Sequence, residues 1–354
     1  MNFGAVAYLN MLPFFHSSKD ITLAKSPRGL NEAAREGAVD CACMSVIAGI
    51  RAGFTPVFPF VGVGSEKRVK SVYLEALPMN AAKPVGTEIL ELPSFWGQFC
   101  SQNKGLLQEF LFDSAPPYAG RVHLFTAGAS EHSEWLACVL LWAQGYSTLV
   151  HRIDQSLQFE SPVALAERYQ GVCNGEPAAL LVIGDTALAR ARRLAHTARC
   201  RLDLATLWNS FSNLPCLFAA WFDTRSPARN TSALNSEMLA TSVAQWTAQS
   251  DFARWCVARE FLEKHSPAML ESYAPVGENL LRVDVLDYLS QIVCVFDKRY
   301  EQTYELYCRL NLAYVTSTAQ RAEVGLGSAA NTDLHASSRE AINFLRMPQR
   351  KELR

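Results

Sequence analysis

Residues 21–46 read ITLAKSPRGLNEAAREGAVDCACMSV, and this stretch decides the fold. Ile21 to Lys25 has the composition of a β-strand, and Pro27 then opens a helix with its apolar residues on one face. Gly37 is placed to end that helix in the left-handed conformation. Val39 to Val46 is nearly all apolar, which is typical of a central strand in a parallel sheet. The stretch is therefore predicted to be a β-α-β unit.

The alternation of strand and helix patterns continues on both sides of this unit. Phe3 to Leu9 is a strand candidate before it, and Lys70 to Leu77 is one after it. Val122 to Thr126 and Ala179 to Ile183 are further apolar strands, with helical patterns between them. Leu214 to Phe222 is the next strand, and a mostly helical region follows. Strands that alternate with helices indicate an α/β protein with mainly parallel sheets.

The predicted elements group into two lobes. Lobe I is predicted to comprise residues 1–78 and 206–310, and lobe II residues 79–205. Irregular sequence with Pro, Gly and Phe at about 79–121 is interpreted as an insertion in lobe II. Residues 311–354 are rich in Ser, Ala, Thr and Gly and lack a sustained apolar period, so we predict a mobile C-terminal tail.

The composition argues against several classes of partner. The chain has 354 residues, 49% of them hydrophobic and 19% charged, and can bury a core large enough for two domains. Its formal net charge is -1, so no overall field attracts nucleic acid or an anionic membrane. The opening MNFGAVAYLNMLPFF lacks the pattern of a signal peptide, and no run of about 18 apolar residues occurs. We therefore expect a cytoplasmic protein without nucleic-acid or membrane partners.

Motifs for metals and nucleotides are absent from the sequence. The ten cysteines include no CxxC pair, and the close pair Cys41 and Cys43 is predicted to consist of buried, reduced thiols. The seven histidines show neither HxxxH nor HExxH spacing. GxSxG, GxxxxGK[ST] and a strand-linked GxGxxG are also missing. We therefore predict no metal site and no nucleotide-driven or serine-hydrolase chemistry.

Small polar residues lie near the ends of several predicted strands. Open parallel sheets bind ligands outside the carboxyl ends of their strands, where loop amides and helix N-termini meet. A turn before a helix is a further candidate, because its backbone N–H groups are placed to meet an anion. The candidates are Asn10, Ser45, Ser71, Asp185 and the turn Gly128-Ala129-Ser130-Glu131-His132-Ser133.

Each candidate also has a structural explanation. Asn10 is positioned to cap the short helix after it, and Ser130 or Ser133 to cap the helix after the turn. Asp185 is likewise a candidate cap for the helix that follows it. Ser71 lies inside an apolar strand, so its buried hydroxyl needs a partner from either the backbone or a ligand. The residues alone leave these alternatives open.

Five blocks of the sequence follow one another in the order seen in one enzyme family. They are GAVAYLNMLPF at 4–14, EGAVDCACMSV at 36–46, VKSVYL at 69–74, PAALLVIGDTAL at 177–188 and DLATLWNSFSNLPCLFAAWF at 203–222. They resemble the motifs of the chorismate dehydratases of the futalosine route to menaquinone. The first block is similar to that family's G-x-V-S-Y-L-N-x-L-P-L, and the third to its G-x-V-x-S-V-x-L. The resemblance covers residues 1–77 and 175–225.

The resemblance implies a two-lobed periplasmic-binding-protein-like fold of type II, with the active site in the cleft between the lobes. It also implies a cofactor-free lyase that removes water from chorismate and gives 3-[(1-carboxyvinyl)oxy]benzoate. Asn10 and Ser71 fall on motif positions and are the expected catalytic residues, as donors that orient the substrate and stabilise developing charge. The expected substrate-binding residues are Ser45, Ser130, His132, Ser133 and Asp185.

One departure from the family's motifs keeps a second hypothesis open. The family's S-R-T-S turn is replaced here by Ser130-Glu131-His132-Ser133, so a non-catalytic cleft protein of the same fold, binding a small aromatic carboxylate, is the alternative. An exported receptor would carry a signal peptide, and an effector domain of a transcription regulator would carry a DNA-binding module before the first strand. The expected partner is therefore a small-molecule substrate, chorismate, and the oligomeric state is not predicted.

Overall fold

The computed structural model describes residues 2–15, 21–57, 61–79, 120–143, 146–194, 201–225 and 232–323. Within these ranges the chain forms two β-sheets and the helices that cover them. The strands are β1 (Phe3–Val6), β2 (Ile21–Ala24), β3 (Cys41–Ser45), β4 (Thr55–Pro56), β5 (Val61–Ser65), β6 (Val72–Leu77), β7 (Gly120–Thr126), β8 (Tyr146–Arg152), β9 (Ala178–Ile183), β10 (Arg201–Asp203), β11 (Cys216–Asp223) and β12 (Val293–Val295). The helices are α1 (Leu12–Phe15), α2 (Pro27–Arg35), α3 (Val46–Ala52), α4 (Glu131–Ala143), α5 (Pro162–Cys173), α6 (Gly184–Arg193), α7 (Leu204–Ser212), α8 (Ser232–Ala248), α9 (Asp251–His265), α10 (Pro267–Tyr273), α11 (Glu278–Ser290) and α12 (Lys298–Glu323).

The first sheet is built around the β-α-β unit predicted at residues 21–46. β1 pairs in parallel with both β2 and β3, and α2 packs against β1 and β3. The described strands follow the order β12-β5-β11-β3-β1-β2, with the short β4 paired to β11. β11 runs antiparallel to its neighbours β3 and β5. The sheet is therefore mixed, because one late strand is inserted among earlier parallel ones.

The second sheet has the same design. β7 pairs in parallel with β8 and β9, while β6 runs antiparallel to β9 and to β10. The described strands follow the order β10-β6-β9-β7-β8. In each sheet an antiparallel strand, β6 or β11, follows a segment in which the chain has crossed from the other sheet. The α/β fold with two sheets that the sequence predicts is confirmed. The expectation of mainly parallel sheets is wrong, because four pairings of the described strands are parallel and six are antiparallel.

The chain crosses between the sheets through residues 66–71 and again through residues 204–215. The carboxylate of Asp203 joins these crossings, because it accepts hydrogen bonds from the amides of Lys70 (2.7 Å) and Thr206 (3.0 Å). Lys70 has a left-handed backbone with φ of 60°. β6 lies after the first crossing and belongs to the second sheet, so the first division between the sheets precedes residue 72 rather than residue 78. We keep the two-lobe division as a proposal with this earlier boundary.

Helix α4 is buried on almost all sides. It packs on β8 and β9 of the second sheet and also contacts α3, α7 and β11. Its residues from His132 to Ala143 are nearly all buried, including Trp135 and Trp142. A helix that is apolar all round belongs in the interior of a protein. α4 therefore packs as a central element between the two sheets.

The C-terminal helix α12 extends beyond the predicted start of the mobile tail at residue 311. The prediction of a tail is wrong for residues 311–323, which continue the helix to Glu323. Asn311 is buried and accepts hydrogen bonds from the guanidinium of Arg51 (3.2 and 3.3 Å), and Val315 is also buried. Asn311 is a polar residue in the buried face of α12. It interrupts the apolar period by which a helix is recognised in the sequence. The rest of the predicted tail, and most of the predicted insertion at 79–121, lie outside the described residues.

Two further predictions concern cysteines and membrane spans. Cys41 and Cys43 are buried free thiols, as predicted, and burial raises the pKa of both. None of the described helices combines the length and apolar character needed to cross a membrane.

Gly62 allows β5 and β11 to approach each other closely. A Cβ atom at Gly62 would lie 2.2 Å from the backbone oxygen of Ala219 in β11. A Cβ atom at Gly171, in α5, would meet nothing within 4 Å. The two glycines are thus a matched pair, one in a crowded strand and one on an open helix surface.

We predict that Gly62→Ala lowers the free energy of unfolding by about 1–3 kcal/mol, because the strands must move apart. Gly171→Ala is expected to raise it by about 0.5–1 kcal/mol, because alanine restricts the unfolded chain. Urea unfolding of both variants measures the difference. Equal effects of the two substitutions would contradict the proposed crowding.

Candidate functional site

A cavity of about 590 Å³, part of it open to solvent, lies between the two sheets. We call it the interlobe cavity. It is lined by Val6, Tyr8, Asn10, Met11, Pro27, Cys43, Ser45, Val63, Val69, Ser71, Val72, Ser130, Ser133, Ile183, Gly184, Phe218 and Ala219.

The structure brings together most of the predicted site residues at this cavity. Asn10, Ser45 and Ser71 line it, although they follow or precede different strands of the two sheets. Ser130 and Ser133 reach it from the start of α4. The predicted convergence of polar strand ends therefore matches this arrangement, whereas the functional roles of these residues remain predictions.

Four helices begin at the interlobe cavity. Pro27 is the first residue of α2, Ser45 directly precedes α3, Ser130 directly precedes α4, and Gly184 is the first residue of α6. The partial positive charges at helix N-termini favour a bound anion. Among the described lining residues, all side chains are uncharged at neutral pH. Attraction of an anion would thus rest on backbone dipoles, amide groups and hydroxyls.

Several donors at these helix starts have no acceptor within the chain. The buried Ser45 hydroxyl finds no hydrogen-bond partner in the described residues. At α4, Ser130 Oγ accepts from the amide of Ser133 (3.3 Å), which confirms its interpretation as a cap. In the described part of the chain, the helix-start amides of Glu131 and His132 have no acceptor. A ligand anion would meet these groups without displacing an internal hydrogen bond.

Tyr288 connects the two predicted catalytic residues. Its hydroxyl, fully buried in α11, donates to Ser71 Oγ (3.1 Å), and the nearby Asn10 side chain opposes the rise in the pKa of Tyr288. Burial, and then the nearby charge of Asp185, raise the pKa of Tyr288 and keep it a neutral phenol. Because Tyr288 donates to Ser71, the hydroxyl hydrogen of Ser71 is left for the cavity. No signal in the sequence identifies Tyr288 as a site residue, because a tyrosine within an apolar helical pattern resembles an ordinary core residue.

Asp185 has a different role from those predicted. It does not line the interlobe cavity and does not cap α6. Its carboxylate accepts from the amide of Leu9 in the other lobe (3.2 Å) and from the hydroxyl of Ser266 (2.5 Å). Burial raises its pKa to about 6, although these two hydrogen bonds oppose the shift. Asp185 thus ties the second sheet's α6 to the loop that carries Asn10.

Gly184 brings the start of α6 against Tyr8. Its φ is +66°, a left-handed conformation, and a Cβ atom there would lie 2.8 Å from the Tyr8 ring. Its amide donates to the backbone oxygen of Ser71 (2.7 Å). Only glycine meets both requirements at this position without strain.

His132 does not reach the cavity, contrary to its predicted role in substrate binding. Its ring is fully buried against Trp135, Phe218 and Tyr307, and neither ring nitrogen has a partner in the described residues. Burial lowers its pKa to about 3, so the ring is neutral. Packing against these three aromatic rings holds the imidazole in the core, whereas Ser130 and Ser133 of the same turn line the cavity.

Glu131 also points away from the cavity. Its carboxylate accepts hydrogen bonds from Asn31 (3.0 Å) and from Arg35 (3.1 Å), both in α2 of the first lobe. The amide of Arg28 donates to the backbone oxygen of Ala129 (3.1 Å) beside them. The acidic residue of this turn therefore joins α4 to α2 and leaves the cavity free of negative charge.

The described residues contain no group of three or more His, Cys, Asp or Glu placed to hold a metal ion.

Comparison with known families points to one pathway. Residues 151–307 match a family described as menaquinone biosynthesis. This match supports a role in menaquinone synthesis and agrees with the family resemblance seen in the sequence. The matched stretch includes Asp185 and Tyr288 but neither Asn10 nor Ser71.

Solved structures give similarities of fold. The chain is similar to protein AF1704 from Archaeoglobus fulgidus, with 12% identity and a TM-score of 0.46, over 92% of this chain and 98% of that one. It is also similar to the periplasmic aliphatic sulphonate binding protein SsuA from Escherichia coli, with 14% identity and a TM-score of 0.46, over 88% and 92% of the two chains. A search of curated proteins finds no significant match.

We predict that Asp185→Asn removes a pH-dependent part of the stability of this protein. Because the folded-state pKa is raised to about 6, the stability from Asp185 is complete below the ordinary aspartate pKa and is lost as pH rises through about 6. Asparagine keeps an acceptor for Leu9. From about pH 4 to about pH 7.5, the free energy of unfolding of the variant should rise by roughly 2–3 kcal/mol relative to that of the natural protein.

Urea unfolding across this pH range measures the effect, and Asp297→Asn, at an exposed position, serves as the control. Parallel pH profiles for Asp185→Asn and the natural protein would show that Asp185 does not titrate as the geometry predicts.

Proposed function

We propose that this protein is a chorismate dehydratase, a hydro-lyase that converts chorismate to 3-[(1-carboxyvinyl)oxy]benzoate in the futalosine route to menaquinone. The observation that carries the proposal is that Asn10 and Ser71 line a cavity where four helices begin, with Ser71 hydrogen-bonded to the buried Tyr288. The match of residues 151–307 to a menaquinone biosynthesis family supports the same pathway. The resemblance of the N-terminal blocks to the dehydratases supports the specific reaction.

The reaction requires stabilisation of negative charge on the substrate. The hydrogen on C3 is vinylogous to the ring carboxylate, so its removal places charge on that carboxylate. The C4 hydroxyl then leaves as water, and the ring becomes aromatic. Hydrogen-bond donors fixed around the carboxylate lower the barrier to the first step. The hydroxyl of Ser45, which lines the cavity, is a donor of this kind.

The proton from C3 needs an acceptor. No Asp, Glu or His is among the described residues that line the interlobe cavity. The enolpyruvyl carboxylate of chorismate itself is therefore the base in our proposal. Asn10 and Ser71 orient the substrate and donate to the developing charge or to the departing hydroxyl, with Tyr288 fixing their direction.

Asn10→Ala and Ser71→Ala are each expected to lower kcat by about 100- to 1000-fold, as removal of one fixed donor does elsewhere. Incubation of purified protein with chorismate, followed by chromatography and mass spectrometry, measures the loss of one water. Ser147→Ala is the control, because Ser147 bonds the backbone oxygen of Gly120 in the second sheet and does not line the cavity.

The outcome separates the enzyme from its alternative. Turnover that Ser147→Ala retains and both cavity variants lose supports the dehydratase. Saturable binding of chorismate or benzoate in calorimetry without turnover would reject the enzyme and favour a cleft protein for aromatic carboxylates.

Tyr288→Phe is expected to lower kcat about tenfold with little change in KM, because one hydrogen bond that orients Ser71 is lost. Phenylalanine preserves the ring volume in the core. Steady-state kinetics measure the two constants, and circular dichroism checks the fold. A variant with unchanged kcat would show that the phenol hydroxyl has no positioning role.

A further inference from the structure

A second cavity lies on the other side of the first crossing segment. It encloses about 920 Å³, part of it open to solvent, and we call it the rear cavity. Residues 68–73 separate the two cavities, with Val72 on the interlobe side. Val69 and Ser71 line the interlobe cavity, whereas Arg68, Lys70 and Tyr73 line the rear cavity. The two cavities therefore share a wall that is only one chain thick.

The rear cavity, unlike the interlobe cavity, is lined by ionised side chains. Four are cationic and two are acidic: Arg68, Lys70, Arg192, Arg201, Asp203 and Asp284. Both acids already accept hydrogen bonds. Asp203 binds the backbone amides of the crossing segments, and Asp284 accepts from the hydroxyl of Tyr273 (2.6 Å).

Two of the four cations form ion pairs with described residues, and two do not. Lys70 pairs with Asp287, and Arg201 pairs with the buried Glu75 (3.2 Å). Arg68 and Arg192 form no ion pair with any described residue. They enter the cavity from different elements, since Arg68 lies in the crossing segment and Arg192 in the last turn of α6.

The walls hold the guanidinium groups in fixed positions. Arg192 lies over the ring of Tyr273 at 5.5 Å, and Arg201 lies over the ring of Tyr73 at 5.4 Å. Both tyrosines are buried. An arginine stacked on an aromatic ring keeps its N–H groups free for an anion, and a planar guanidinium binds phosphate through two parallel hydrogen bonds.

We propose that the rear cavity binds a small anion with two or more negative charges, of the phosphate class, through Arg68 and Arg192. Lys70 and Arg201 add positive charge at the same site. The bound anion connects the first crossing segment to α6. Ser71 and Gly184, which line the interlobe cavity, belong to these same two elements, so the anion stabilises the arrangement of that cavity. The binding itself does not depend on the reaction proposed above.

Calorimetry with inorganic pyrophosphate at low ionic strength tests the proposal. We expect saturable binding of one pyrophosphate per chain. The double variant Arg68→Gln/Arg192→Gln should weaken it at least tenfold. The matched control is Lys67→Gln/Arg193→Gln, which makes the same change of charge at the adjacent positions, neither of which lines the cavity. Binding to the control should stay within twofold of the natural protein.

Two results would overturn the proposal: no saturable binding to the natural protein, or equal weakening in the double variant and its control, which indicates a general effect of charge. Thermal unfolding verifies that each variant is folded. Arg68→Gln alone provides a second test, because this side chain is exposed and its loss leaves no buried group without a partner. Chorismate is absent from the titration, so a failure of the proposed dehydratase activity is scored separately.

Discussion

The carboxylate of Asp203 accepts hydrogen bonds from the backbone amides of Val69, Lys70 and Thr206, and so holds the two places where the chain changes sheets. The left-handed backbone of Lys70 depends on this contact, since a lysine adopts such a conformation at a cost. Val69 and Ser71 line the interlobe cavity while Arg68 and Lys70 line the rear cavity, so the half-buried Asp203 helps to fix the directions of Ser71 and of these cationic side chains. Burial raises the pKa of Asp203, while the amides oppose that rise.

The two cavities represent different physical ways to attract an anion. The interlobe cavity combines apolar walls with helix starts and hydroxyls, whose partial charges are held by the backbone and do not reorganise when a ligand charge moves. The rear cavity uses full charges on long side chains, which are hydrated and screened by salt. Backbone dipoles suit a site where charge develops during a reaction, and full side-chain charges suit a site that only binds.

Local pattern and side-chain direction explain how much the sequence could predict. The β-α-β unit and the meeting of Asn10, Ser45 and Ser71 were predictable, because strand ends in an open sheet converge whatever joins them. Tyr288 was not, since it lies 217 residues from Ser71 in a helix whose pattern gives no sign of a ligand. His132 was misplaced because its presence in a ligand-facing turn does not determine where its ring points. The sequence pattern placed β6 in lobe I, whereas β6 belongs to the second sheet. The alternation of strand and helix patterns identifies strands but does not show which strands pair.

The position of β11 affects how the chain folds during synthesis. β11 lies between β3 and β5 in the sheet, where Ala219 pairs with both Ser45 and Val63. β11 is nevertheless synthesised roughly 150 or more residues after these two strands. Until residue 223 leaves the ribosome, β3 keeps one edge unpaired and β5 keeps both, because its other described partner, β12, is made later still. Unpaired edges of this kind recruit other strands and promote aggregation. A nascent chain of this protein is therefore expected to depend on chaperones that shield those edges through most of its translation.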